Sequence, residues 1–184
     1  MGTHWVVIGF GAIGAGVGRI ARGFGARVTG VRRSQASDAQ ADAIAALGDL
    51  PRLLPDADVV VLTCPLTPQT RNLADAGFLA AMKPGSVLVN IGRGGLVDED
   101  ALLAALDRGI PEHAVLDVFQ TEPLPPESPF WSHPRVFVTP HNSGVTDGQA
   151  ARIDAAFVEN LGRYVRGEPL LHEEDPKDVL AGEG

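Results

Sequence analysis

The sequence predicts an α/β fold, a doubly wound parallel sheet within one domain spanning residues 1–184, and three observations carry that prediction. Short β-branched runs alternate along the chain with longer stretches of helical periodicity. The runs are apolar throughout, not on alternate positions, as strands covered by helices on both faces require. A glycine-rich turn, Gly9, Gly11 and Gly14, directly follows the first run.

Six strands are expected: "WVVI" at 5–8, "RVTGV" at 27–31, "VVVLT" at 59–63, "VLVNI" at 87–91, "AVLDV" at 114–118 and "VFV" at 136–138. Helices are expected near 12–24, 50–55, 75–82, 97–107 and 147–166. The stretch "DEDALLAALDRG" has acids in its first turn, apolar residues at helical spacing, and Arg108 then Gly109 at its end, the polarity that a helix dipole favours. The tail "HEEDPKDVLAGEG", from about residue 172, is polar and expected to be loosely ordered. Parallel strands with a glycine turn after the first make a Rossmann-type sheet, whose ligand crevice lies at the carboxyl ends of its strands.

Composition narrows the function. With 45% hydrophobic and 21% charged residues the chain reads as soluble and globular. A net charge of −8 disfavours nucleic acid and anionic membranes, because an acidic surface repels their phosphates. The single cysteine, Cys64, allows neither a disulfide framework nor a cysteine metal cluster, so no metal is expected and a cytoplasmic location is. The uncharged glycine-interrupted start lacks the basic region of a signal peptide.

Gly9, Gly11 and Gly14 form G-x-G-x-x-G between a strand and a helix. In that setting Gly9 permits a tight turn, Gly11 lets a pyrophosphate approach the backbone, and Gly14 lets the helix pack closely on the strand. The second strand ends in "GVRRS", where an NAD site would carry an acid for the ribose 2′-hydroxyl. Arg32 near that position, with Arg33 and Ser34 after it, favours NADP, because a guanidinium forks onto a 2′-phosphate; NAD remains possible, as do two solvated surface arginines. Arg93 lies just beyond the fourth run, Asp117 and Glu122 at and beyond the fifth, and His141 beyond the sixth. A cation, acids and an imidazole are thereby expected at one end of one sheet, whereas His4, His113, His133 and His172 read as structural.

The succession of G-x-G-x-x-G, "PLTPQT", "NIGRGGLVDEDAL", "DVFQTEP", "PFWSHP" and "TPHNSG" resembles the D-isomer-specific 2-hydroxyacid dehydrogenase family over nearly the whole chain. The resemblance implies hydride exchange between a nicotinamide cofactor and a small 2-oxo or 2-hydroxy acid. It makes Arg93 the residue for the substrate carboxylate and carbonyl oxygen, His141 the acid/base and Glu122 its partner, with Asp117 at the nicotinamide end. It adds Ala12, Ile13, Cys64, Pro65, Thr70 and Ile91 as cofactor contacts. Formate dehydrogenases usually carry Gln where this chain has Glu122, so formate oxidation is not expected, and Arg32 resembles NADPH-preferring glyoxylate and hydroxypyruvate reductases. The family also implies homodimers and a substrate domain of on the order of a hundred residues ahead of the first strand. The chain is accordingly expected to be the cofactor half of an enzyme, with Gly2 and Thr3 as connecting segment and turnover severely reduced in isolation. The alternative is a non-catalytic, self-associating dinucleotide-binding module.

Overall fold

A computed structural model describes residues 2–171 and Glu173, so nearly all of the polar tail, and His172, lie outside the described residues. The chain divides into two compact units, one ending at His141 and the other starting at Asn142.

The first unit is built on β1 (His4–Ile8), β2 (Arg27–Val31), β3 (Ala43–Ala45), β4 (Val59–Leu62), β5 (Val87–Asn90), β6 (His113–Leu116) and β7 (Val136–Val138). They form one sheet of order β3-β2-β1-β4-β5-β6-β7. Every pairing is parallel. The strand order reverses beside β1, which pairs with β2 on one side (Ile8 opposite Val31) and β4 on the other (Ile8 opposite Leu62). Val6, Val7 and Ile8 are completely buried, as a central strand covered on both faces must be.

Four helices belong to this unit: α1 (Ala12–Gly23), α2 (Leu50–Leu53), α3 (Ala76–Ala80) and α4 (Glu99–Arg108). Leu50, Leu79, Leu102 and Leu106 from α2, α3 and α4 join the larger apolar cluster, and Ala21 of α1 joins the smaller one. Asp98 caps α4 by accepting the Ala101 amide at 3.0 Å, and Gly109 ends it at φ 80°.

The structure departs from the expected elements twice. A seventh strand, β3, pairs with β2 through Thr29–Ala43 and Val31–Ala45. Its Ala-Ile-Ala sequence is too short and too poor in β-branched residues to stand out. The helix expected over 50–55 stops at Leu53 and passes into a 3-10 turn over Leu54–Asp56, because Pro55 has no N–H to continue the ladder.

The second unit contains α5 (Gln149–Arg166). Ile153, Phe157, Leu161 and Tyr164 recur on it at helical spacing, Arg163 and Arg166 occupy its last turn, and Gly167 closes it at φ 68°. No helix among the described residues is long and apolar enough to cross a membrane.

Candidate active site and cofactor cleft

The glycine turn sits where the strand order reverses, wedged between the ends of β2 and β4. Gly9 adopts φ 98°, and a Cβ there would lie 2.3 Å from the Cys64 amide nitrogen, so only glycine fits. Its amide donates to the Val31 carbonyl at 2.9 Å, and its carbonyl accepts the Thr63 hydroxyl at 2.8 Å. A Cβ on Gly14 would meet the Gly9 carbonyl at 2.4 Å, the close helix–strand packing expected. Gly11 is the N-cap of α1 without any side-chain cap, and it is exposed along with Ala12 and Ile13. A Cβ on Gly11 would project into open space. The first turn of α1 therefore presents uncapped N–H groups and a positive dipole end to an open surface, which fits a dinucleotide pyrophosphate.

Phe10, between the first two glycines, anchors this turn in a way the motif does not reveal. It is 1% exposed, and a Cβ on Gly30 would lie 2.4 Å from its ring. Glycines at 30 and 18 make room for that ring, a signal visible only once the chain is folded.

At the end of β2, Arg32 is half-buried while Arg33 and Ser34 are exposed. The Arg32 guanidinium donates to the carbonyls of Ser34, Ala36 and Phe10 and reaches Asp38 at 3.4 Å. After β4, Cys64 is buried, and burial pushes its thiol up to about 11, so it packs as a neutral apolar group at ordinary pH. Pro65 is exposed and Ile91 half-buried. Thr70 is turned inward: its hydroxyl donates to the Pro65 carbonyl at 2.7 Å and accepts the Thr67 amide at 2.8 Å. It shapes the loop that carries Pro65.

The residues expected to carry chemistry converge at the carboxyl ends of β5, β6 and β7. His141, in the left-handed region at φ 51°, lies 2.6 Å from Glu122 through Nδ1 and Oε2. The other Glu122 oxygen accepts the Phe119 amide at 2.9 Å. Burial pushes the Glu122 carboxyl up, but the hydrogen bonds from His141 and the Phe119 amide together outweigh it and hold it below the ordinary Glu range. An ionised Glu122 can only accept, so Nδ1 of His141 carries the shared proton and Nε2 is left to face a reactant. Asp117 is 2% exposed and accepts the Thr139 hydroxyl at 2.5 Å. Asp117, Glu122, Leu124, Trp131, Thr139 and His141 line one cavity of about 410 Å³.

Arg93 is exposed and is not among the residues lining that cavity. Its loop is nonetheless fixed against the one that carries Glu122. A Cβ on Gly94 would lie 1.9 Å from the Phe119 carbonyl carbon, so the two backbones touch directly. Glu99 accepts the Gln120 amide at 2.7 Å, and the Gln120 side chain donates to the Val97 carbonyl at 2.7 Å.

The NAD binding domain of the D-isomer specific 2-hydroxyacid dehydrogenases matches residues 1–143. The chain belongs to this family.

Among its dehydrogenase relatives, glyoxylate/hydroxypyruvate reductase B of Pectobacterium carotovorum is 40% identical over 163 residues, 88% of this chain and 51% of the relative. A glyoxylate reductase of Thermococcus gammatolerans is 39% identical over 88% of this chain and 48% of its own. The chain thus spans about half the length of these curated relatives. A D-isomer specific 2-hydroxyacid dehydrogenase from Xanthobacter autotrophicus, solved with NADPH and MES, superposes with a TM-score of 0.87 at 38% identity, covering 95% of this chain and 72% of that one. An NADPH-dependent glyoxylate/hydroxypyruvate reductase from Sinorhizobium meliloti, solved with NADP and sulfate, gives 0.86 at 32% identity, covering 98% and 57%.

Proposed function

We propose that this dehydrogenase-family chain is the cofactor-binding and catalytic-residue half of an NADP-preferring oxidoreductase that reduces a small 2-oxo acid such as glyoxylate or hydroxypyruvate. The observation that carries the reading is the 2.6 Å contact between His141 and Glu122 in a cavity shared with Asp117.

A bound nicotinamide dinucleotide supplies the hydride. Gly9, Gly11, Gly14, Ala12 and Ile13 hold its pyrophosphate against the first turn of α1, and Pro65 and Ile91 form the neighbouring wall, with the buried Cys64 and Thr70 behind it. Asp117 faces the nicotinamide end. Arg93 grips the substrate carboxylate by a two-point contact and so aims its carbonyl carbon. As negative charge develops on the substrate oxygen, Nε2 of His141 donates a proton to it. Glu122 keeps the imidazole in the required orientation through its contact with Nδ1. Arg32, Arg33 and Ser34 at the end of β2, where an NAD site would carry an acid, favour NADP. The NADPH and NADP complexes of the Xanthobacter and Sinorhizobium proteins support that choice. The reading includes a cytoplasmic homodimer.

The test is fluorescence titration of the purified chain with NADPH and NADH, followed by oxidation of each with glyoxylate or hydroxypyruvate. NADPH is expected to bind more tightly, and any turnover to fall at least about 100-fold in His141→Asn. Failure to bind either dinucleotide overturns the reading. Binding without turnover reduces the chain to a dinucleotide-binding module.

A further inference from the structure

The cavity beside His141 is larger and more apolar than glyoxylate or hydroxypyruvate needs. Its volume of about 410 Å³ falls in the range of about 300–1,000 Å³ that encloses a drug-sized ligand, which leaves room for a substrate side chain beside a nicotinamide ring. Phe119, Pro123, Leu124, Trp131, Val138 and Pro140 make up the apolar part of its lining. The polar part is occupied with itself: Thr139 donates to Asp117 at 2.5 Å, and Glu122 holds His141 at 2.6 Å and the Phe119 amide at 2.9 Å.

The aromatic wall of this cavity is firmly built. Phe130 is 2% exposed, and its ring centre lies 5.8 Å from that of Phe119. Ser128 caps the 3-10 turn Pro129–Trp131 by accepting the Phe130 amide. Trp131, next to that anchor, keeps half of its surface open, and its indole N–H donates to the Pro125 carbonyl at 2.9 Å. The bond uses the indole's one donor, so what the ring offers a ligand is apolar surface. Leu124 is half-buried and packs against the larger apolar cluster.

The reacting carbon of a 2-oxo acid carries three groups. In the reading above Arg93 takes the carboxylate and His141 meets the carbonyl oxygen, and Arg93 lies outside the cavity lining. The remaining group is the side chain. The geometry points to Leu124 and Trp131 as specificity-determining residues that receive a branched or aromatic hydrocarbon side chain, so that 2-oxo acids of that class bind more tightly than glyoxylate or hydroxypyruvate. Glyoxylate has only a hydrogen there and leaves the wall untouched. The hydroxyl of hydroxypyruvate meets two side chains that offer it no hydrogen-bond partner. Each methylene buried against them strengthens binding about fourfold. The inference rests on the oxidoreductase reading and deepens it by naming the side chain.

The experiment titrates the whole chain, saturated with oxidised NADP, with 4-methyl-2-oxopentanoate and with glyoxylate. Both partners are then oxidised, so binding is observed without hydride transfer. The readout is the indole N–H signal of Trp131 in two-dimensional NMR, told from that of Trp5 by its absence in Trp131→Phe. The branched acid is expected to shift the Trp131 signal and not that of Trp5, and to bind about 10- to 100-fold more tightly than glyoxylate. Trp131→Ala and Leu124→Ala, followed through backbone amide signals, are each expected to weaken the branched acid at least about fivefold and to leave glyoxylate within about twofold. Glyoxylate binding as tightly as the branched acid, a Trp131 signal that the branched acid does not move, or variants that change both acids equally would overturn the inference. Failure of NADP to bind refutes the oxidoreductase reading instead, and the same titration without dinucleotide then decides whether the cavity takes the branched acid.

Discussion

His4 opens β1 with its ring buried, Nε2 at 2.9 Å from the Thr29 hydroxyl and Nδ1 without a hydrogen-bond partner. Burial lowers its pKa below the usual histidine value, and the Arg27 guanidinium lowers it further, against the opposing pull of Asp56 and Asp58. The unfolded chain therefore takes up this proton first as pH falls. Stability from a neutral His4 is complete above the unfolded value, declines as pH falls toward the folded one, and changes no further below it. Asp58, held low by the Lys83 hydrogen bond and the His4 amide, loses its contribution only below the ordinary carboxylate value. Thermal unfolding of the wild type should thus drop more steeply than that of His4→Gln between about pH 7 and pH 5, and parallel curves would contradict this account. Position along the chain was enough to foresee Glu122 and His141 at one end of the sheet, because both follow strand ends that a parallel sheet gathers there, whereas their pairing was implied by the family resemblance. Side-chain direction was not. Whether Thr70 faces a ligand or its own loop depends on local hydrogen bonds that no spacing encodes, and the same holds for Arg32.

At the scale of elements, caps and close approaches are the points to test. Removing the carboxylate that caps α4, by Asp98→Ala, should cost about 1 kcal/mol in urea unfolding with the slope unchanged. Gly94→Ala should cost more, about 1–3 kcal/mol, because the added methyl meets the Phe119 backbone and one loop must move. A Gly94→Ala protein as stable as wild type would refute the direct backbone contact. The limits of α1 and α4 were legible because glycines and acids mark their ends. The edge strand β3 was not, because pairing with β2, and not any preference of Ala-Ile-Ala, makes it a strand.

At the scale of the molecule, the doubly wound sheet followed from alternation of apolar runs and helices, and its order put the glycine turn at the reversal. Association is less directly written. Ile153, Phe157, Leu161 and Tyr164 on α5 are all more than half exposed, an apolar stripe consistent with the proposed homodimer. Sedimentation of Phe157→Glu should then give the monomer mass under conditions where the wild type gives twice that mass, and identical masses would remove α5 from the interface. The strand order has another consequence, in time. β1 lies between β2 and β4, and its second neighbour is complete only at Leu62. During synthesis the segment Val6–Ile8 leaves the ribosome well before Val60–Leu62 exists to cover its far edge. A strand completely buried in the finished sheet therefore waits longest for its second neighbour, and translation speed through residues 9–62 sets the length of that wait.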